Sequence, residues 1–218
     1  SVASELARRL GLEFLDTGAM YRAAALLALE DGIAPTNGPA LADRLRAVGV
    51  RFDWTVHPPR CLLGSRVVDD RIRDADVEGI VSMVAACADV RGVLIDAQRR
   101  IGAAHPRLVS EGRDQGSVVF PDALVRFYLT ADAAVRARRR IDQLRARGVS
   151  PDEAMVLEEI LERDHIDSTR EVGPLVRPVG AVEIDSTDLT FDEVVDRMSD
   201  IVRVRQDVRT AAVAGSVR

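Results

Sequence analysis

Apolar residues along this chain switch between two periods, and the switching predicts strands interleaved with helices. Ala3, Leu6, Ala7 and Leu10 recur at helical spacing, and Gly11 closes that turn. Residues 12–15 read as a short strand running into a helix over about 18–31, with Thr17 as its N-cap and Gly32 at its end. Pro39 suits the first turn of a helix over 39–48. Residues 50–54 and 60–68 read as strands joined by the His57-Pro58-Pro59 turn, and helical spacing returns over about 74–87 and 89–104. Strands follow at 107–112, 125–130 and 181–185. Between the last two lie an arginine-rich helix ending at Gly148 and a helix over 151–168, started by a capping box of Ser150, Pro151 and Glu153. A Thr190–Glu193 box opens a helix over 191–203, and residues 204–218, polar and alanine-rich, are expected to be a disordered tail.

This order predicts an α/β fold built on a parallel sheet, with ligands bound beyond the carboxyl ends of the strands. Charged clusters stand at or just past three of those ends: Asp16–Arg22, Glu111–Asp114 and Asp185–Thr187. Residues 44–104 lack a regular strand–helix rhythm and read as an inserted lobe. No internal repeat is visible.

Composition narrows the function classes. The formal net charge of -5 over 218 residues disfavours a general nucleic-acid surface. Cys61 and Cys87 have no metal-like spacing and are expected to be reduced thiols of a cytoplasmic protein. No apolar run reaches membrane-spanning length and no secretory signal opens the chain. All 30 basic residues are arginine. Any chemistry that needs a lysine therefore cannot come from these residues.

Several stretches carry candidate chemistry. In "EGRDQGSVVFPDA", residues 111–123, two glycines bracket Arg113 and Asp114, which suits backbone that approaches a ligand closely. In "ERDHIDSTR", Arg163, Asp167 and Arg170 stand at i, i+4 and i+7 and share a helix face. The plainer reading is a salt-bridged, solvated face. The functional reading is a pair of guanidinium forks on an anion, with the aspartate accepting from a sugar. "DTGAMYR" places Thr17 and Gly18 at a strand-to-helix switch, where open backbone N–H groups suit an anion, and Arg22 lies one turn on. Taken alone it is a common turn. The helix carrying Arg136, Arg138, Arg139, Arg140, Arg145 and Arg147 is either a solvated surface or a binder of polyphosphate or nucleic acid, and the net charge favours the nucleotide. His57, His105 and His165 show no paired spacing, and Tyr21 and Tyr128 read as packing residues.

"LEFLDTGAMYRAAAL", "EGRDQGSVVFPDA" and "ERDHIDSTREVGPLVRP", in this order and separation, resemble the bacterial cytidylate kinase family, over residues 1 to about 203. Residues 71–99 also resemble that family's inserted nucleotide-binding lobe. The resemblance implies a three-layer P-loop NTPase-type fold, a parallel sheet with helices on both faces. It implies one domain with a core at 1–43 and 105–203, a monophosphate-binding insertion at about 44–104 and a mobile lid at about 136–168. The implied reaction moves the γ-phosphoryl group of ATP to CMP or dCMP with Mg²⁺, in a cytoplasmic monomer that takes neither nucleic acid nor membrane as partner. Ser82, Arg91 and Asp114 would read the cytosine, and Thr17 would face the acceptor nucleotide. Arg163 and Asp167 would hold the ribose, and Arg22, Arg113 and Arg170 the acceptor phosphate. Arg136 and Arg139, on the lid, would reach the ATP phosphates.

The family's opening strand and its G-x-x-x-x-G-K-[ST] loop have no counterpart in these residues, so the chain is expected to be N-terminally truncated. Ser1 would be that loop's last hydroxylic residue, in contact with ATP. Loss of a central strand exposes ladder groups on both neighbours, so the 218 residues alone are expected to show little kinase activity and reduced stability. Three alternatives stay open: a kinase of the same architecture with another acceptor, a decayed kinase that binds a nucleotide without catalysis, and a nucleic-acid binder using the arginine-rich helix.

Overall fold

The computed structural model describes residues 1–146, 148–169 and 172–215, with side chains described to residue 208. Its elements in chain order are α1 (Val2–Leu10), β1 (Glu13–Asp16), α2 (Thr17–Glu30), α3 (Gly38–Val48), β2 (Val50–Asp53), β3 (Arg60–Leu63) and β4 (Arg66–Val67). Next come α4 (Ala75–Ala86), α5 (Ala88–Ala104), β5 (Leu108–Glu111), β6 (Phe127–Thr130), α6 (Ala133–Ala146), α7 (Glu153–Thr169), β7 (Val182–Asp185) and α8 (Phe191–Gly215).

Two parallel pairs form the main layer. β1 pairs with β5, Asp16 opposite Glu111, and β6 pairs with β7, Thr130 opposite Asp185. Acidic or hydroxylic residues thus collect at the carboxyl ends of both pairs. Leu108 and Val109 are successive residues of β5, so they point to opposite faces. Leu108 packs against the core of α2, α4 and α5, whereas Val109 packs with Leu6, Val194, Val195 and Met198 from α1 and α8. One strand therefore meets helices on both sides, which makes the three layers. Among the described residues β5 and β6 are not hydrogen-bonded to each other, and both line one cavity of about 1980 Å³.

In the segment expected to be an inserted lobe and the residues just before it, the antiparallel sheet β2–β3–β4 and helices α3, α4 and α5 pack around α2. Helix α2 is buried nearly all round, alanine-rich with Met20, Leu26 and Leu27, because it serves as the joint core of lobe and sheet. The expected lobe boundary at residues 43–44 falls inside α3, which packs on α5. Cys61, on β3, is a free thiol sealed in this core, and burial pushes its pKa up to about 12. Helices α6 and α7 form a hairpin over Ala137, Ile141 and Val156.

Local chemistry differs from the pattern reading in four places. The 60–68 strand is a hairpin, β3 and β4, turned at Gly64 with φ +65°. Asp16, not Thr17, caps α2, its Oδ1 accepting from Ala19 N at 3.0 Å. Asp152, not Ser150, caps α7, accepting from Ala154 N at 3.0 Å. In both cases the carboxylate stands one residue before or two residues after the hydroxyl that the motif suggested, and as an anion it suits the helix N-terminus better. Helix α8 runs to Gly215, past the expected end at 203, across an alanine-containing segment of high helix propensity. The Thr190–Glu193 box forms as expected, Thr190 N donating to Glu193 Oε2 at 2.8 Å. No helix among the described residues is long and apolar enough to cross a membrane.

Candidate functional site

The cavity opens at the carboxyl ends of β1 and β5, beneath α4 and α7. Thr17, Arg22, Ser82, Arg91, Arg113, Asp114, Arg136, Arg163 and Asp167, all predicted from sequence, line it together. They come from α2, α4, α5, the loop after β5, α6 and α7, so the fold gathers six segments on one space. Arg170 lies outside the described residues, as does Arg147.

At the inner end Arg91 and Asp114 form a buried pair, 1% and 3% exposed, through Nη2 and Oδ2. Arg91 also donates from Nη1 to Ala85 O at 3.3 Å, and its buried Nε has no partner among the described residues. Its guanidinium sits over the Tyr21 ring, 5.8 Å from the centroid. Asp114 is placed by a π-helical turn, Gln115–Val119, in which Val119 N bonds back to Asp114 O. Gln115 Nε2 donates to Gln98 Oε1 at 3.0 Å behind it. A half-satisfied buried guanidinium beside a buried carboxylate is a donor–acceptor pattern that a planar polar ring edge can complete.

The bracketing glycines have a steric reason rather than a φ reason, since neither has positive φ. A Cβ on Gly112 would stand 2.5 Å from Thr17 Oγ1, and one on Gly116 would stand 2.9 Å from Pro178 Cγ. The close approach they permit is thus to the protein's own side chains. Thr17 is 2% exposed and its hydroxyl donates to Glu111 O at 2.6 Å, tying α2 to the end of β5.

The outer end is cationic. Arg113 Nε donates to Asp167 Oδ2 at 2.7 Å, so the loop after β5 is bonded to α7. Arg163 stands one helical turn before Asp167. Burial, Arg113 and Arg22 push the Arg163 guanidinium below its ordinary pKa, although Glu78 and Asp167 oppose that. The remaining carboxylate is Glu78 of α4, which accepts from Arg22 and Arg163.

Nearer the strand ends, Ser1 neighbours Glu111 and acts to lower its carboxyl pKa. Burial, with Asp16 adding to it, raises the Glu111 carboxyl above the usual range. Ser1 also caps α1, accepting from Ser4 N at 3.2 Å. No group of three His, Cys, Asp or Glu side chains suited to a metal occurs among the described residues. On α6, Arg136 lines the cavity and pairs with Asp164 at 2.6 Å. Arg139 does not line it; its Nη2 donates to Ser186 O at 2.7 Å and Leu189 O at 3.0 Å, anchoring α6 to the chain after β7. Arg145 pairs with Glu153 of α7 at 2.6 Å. Much of the charge expected to need an outside anion is thus met by α7.

Sequence reasoning missed Tyr21 and Glu78 at this site. Tyr21 carried no signal beyond its place in "DTGAMYR". Glu78 looks like any acidic residue in a helix's first turn. His105, expected as a loop residue, stacks on Trp54 with centroids 4.0 Å apart and bonds Glu13 at 2.8 Å, pinning the lobe to β1.

A sequence-family profile described as cytidylate kinase matches residues 1–204. The cytidylate kinase of Mycobacterium avium (strain 104) is 43% identical over 208 residues, 95% of this chain and 91% of that protein. That of Rhodococcus opacus (strain B4) is 43% identical over 210 residues, 95% of this chain and 91% of the relative. That of Caldanaerobacter subterraneus subsp. tengcongensis is 40% identical over 203 residues, 93% and 88% respectively.

Proposed function

The chain belongs to the cytidylate kinase family, and on that premise we propose that it transfers the γ-phosphoryl group of ATP to CMP or dCMP, giving CDP or dCDP. The observation that carries the reading is one cavity lined by both a buried Arg–Asp pair and a cluster of arginines from separate segments. The pair suits the polar edge of a cytosine, with Ser82 beside it, and the arginines suit a phosphate.

In this reading Arg22 and Arg113 hold the acceptor phosphate, and Arg163 and Asp167 the ribose, with Arg170 assigned by resemblance alone. One phosphate oxygen of CMP attacks in line, and little covalent chemistry is asked of the protein. The guanidiniums offset repulsion between two polyanions and fix their separation. Arg136 reaches the ATP phosphates when the α6–α7 hairpin closes and excludes water. Thr17 ties α2 to the end of β5 in the cavity wall that faces the nucleotide, and Arg139 holds the root of the hairpin.

The metal of the reading is Mg²⁺, which binds chiefly to substrate phosphates and takes few ligands from protein. That fits the described residues, among which no three-ligand cluster occurs, and Ser1 and Glu111 are the side chains that would hold the ion. When bound, the ion would neutralise charge developing between the two phosphates. The substrates are dissolved nucleotides, which suits a reaction in the cytoplasm, and the described residues of the acceptor site all come from one copy.

The test is an ATP-dependent phosphorylation assay on the full-length gene product with CMP, dCMP, UMP and AMP. CMP or dCMP is expected to exceed AMP in kcat/KM by about 100-fold or more, since a wrong base leaves Arg91 and Asp114 buried and unsatisfied. Equal use of all four would contradict the assignment. A second class of reading, nucleic-acid binding through α6, has no observation in its favour, because Arg136 and Arg145 are paired with α7.

A further inference from the structure

Glu78 is the one acidic side chain described at the arginine cluster that no substrate role accounts for. Its carboxylate lies between two guanidiniums from different segments: Oε2 is 3.2 Å from Arg22 Nε, and Oε1 is 3.4 Å from Arg22 Nη2 and 3.3 Å from Arg163 Nη1. Neighbouring pairs are tighter, 2.7 Å for Arg113–Asp167 and 2.6 Å for Arg136–Asp164. Charge-assisted hydrogen bonds centre on about 2.7–2.9 Å, so Glu78 bridges both cations and fully satisfies neither. Burial favours its neutral form, but Arg22, Arg163 and Arg140 hold its pKa below the usual carboxylate range. It is therefore an anion beside the two guanidiniums. A planar carboxylate has two oxygens for two forks, whereas a tetrahedral phosphate presents three.

We propose that Glu78 is a resident counter-ion that occupies Arg22 and Arg163 until a nucleoside monophosphate brings its own phosphate. Acceptor binding is then an exchange of anions. The cost of displacing Glu78 falls equally on both ligands, so a free inorganic anion, which gains nothing from Arg91 and Asp114, is left too weak to occupy the arginines at concentrations where CMP binds. This rests on the reading of the cavity as the CMP site.

The experiment is calorimetric titration of the full-length protein and its Glu78→Gln variant with CMP, cytidine and inorganic phosphate. Glutamine keeps the shape and removes the charge. The variant is expected to bind CMP and inorganic phosphate about tenfold more tightly, with cytidine affinity unchanged. Glu78→Asp, which keeps the charge on a shorter stem, is expected to fall between the two. Weaker or unchanged binding of CMP and phosphate by Glu78→Gln would overturn the proposal and make Glu78 a residue that merely positions the arginines. If the unaltered protein binds no CMP, the assignment of the cavity fails instead, and the inorganic phosphate titrations still decide the role of Glu78.

Discussion

Replacing Asp114 with alanine is expected to destabilise the protein by about 3–5 kcal/mol and to abolish base recognition, the largest effect of any single substitution at the site. Asp114 is 3% exposed and Arg91 1% exposed, and each is the other's counter-charge. Removing the carboxylate strands a guanidinium in a low-dielectric interior, where an unpaired charge costs far more than the pair contributes. For a domain of this size the melting temperature should fall by roughly 10 °C. The double variant Arg91→Met/Asp114→Ala has no stranded charge and should regain most of that stability, yet neither variant should bind CMP within about 100-fold of the unaltered protein. Thermal melts and CMP titrations of the three proteins decide it. A double variant no more stable than Asp114→Ala would show that packing, not charge, is what the pair supplies.

Arg113→Ala is expected to separate catalysis from folding. Its side chain is 45% exposed, and among the described residues only its Nε is engaged, by Asp167. The pair joins a half-exposed guanidinium to a buried carboxylate, 11% exposed, so its loss should cost about 1–3 kcal/mol, less than the loss of Asp114. Removing a guanidinium that holds a reacting phosphate costs roughly 2.7–4 kcal/mol of transition-state stabilisation, about 10²–10³-fold in turnover. Steady-state kinetics of the full-length variant should therefore show that loss in kcat/KM for CMP, with cytidine affinity unchanged. Turnover within threefold of the unaltered protein would remove Arg113 from the phosphate site.

How much of this was legible in the sequence depends on the distance over which each interaction acts. The parallel strands and most helices follow from short-range periodicity. Arg163 and Asp167 share a helix face, so their joint presence in the cavity follows from spacing alone. Caps failed where a carboxylate stood near a hydroxyl, as with Asp16 beside Thr17 and Asp152 near Ser150, because both residue types satisfy the same motif. The Arg91–Asp114 pair spans 23 residues and two elements. No period encodes such a contact, and family resemblance alone pointed to it. Glu78 had neither kind of signal. Its position matters because α4 folds over α2, which is a tertiary fact. The glycines of "EGRDQGSVVFPDA" were legible as close approaches, but not that the approach is to Thr17 and Pro178.

The central claim is that one cavity holds a pyrimidine monophosphate by its base at Arg91 and Asp114 and by its phosphate at arginines from separate segments. A crystal structure of the protein with CMP bound tests this most directly. The account predicts cytosine within hydrogen-bond distance of Arg91 and Asp114, and phosphate oxygens on Arg22 and Arg113 with Glu78 displaced from them. CMP lodged elsewhere, or in this cavity with its phosphate away from both arginines, would contradict it.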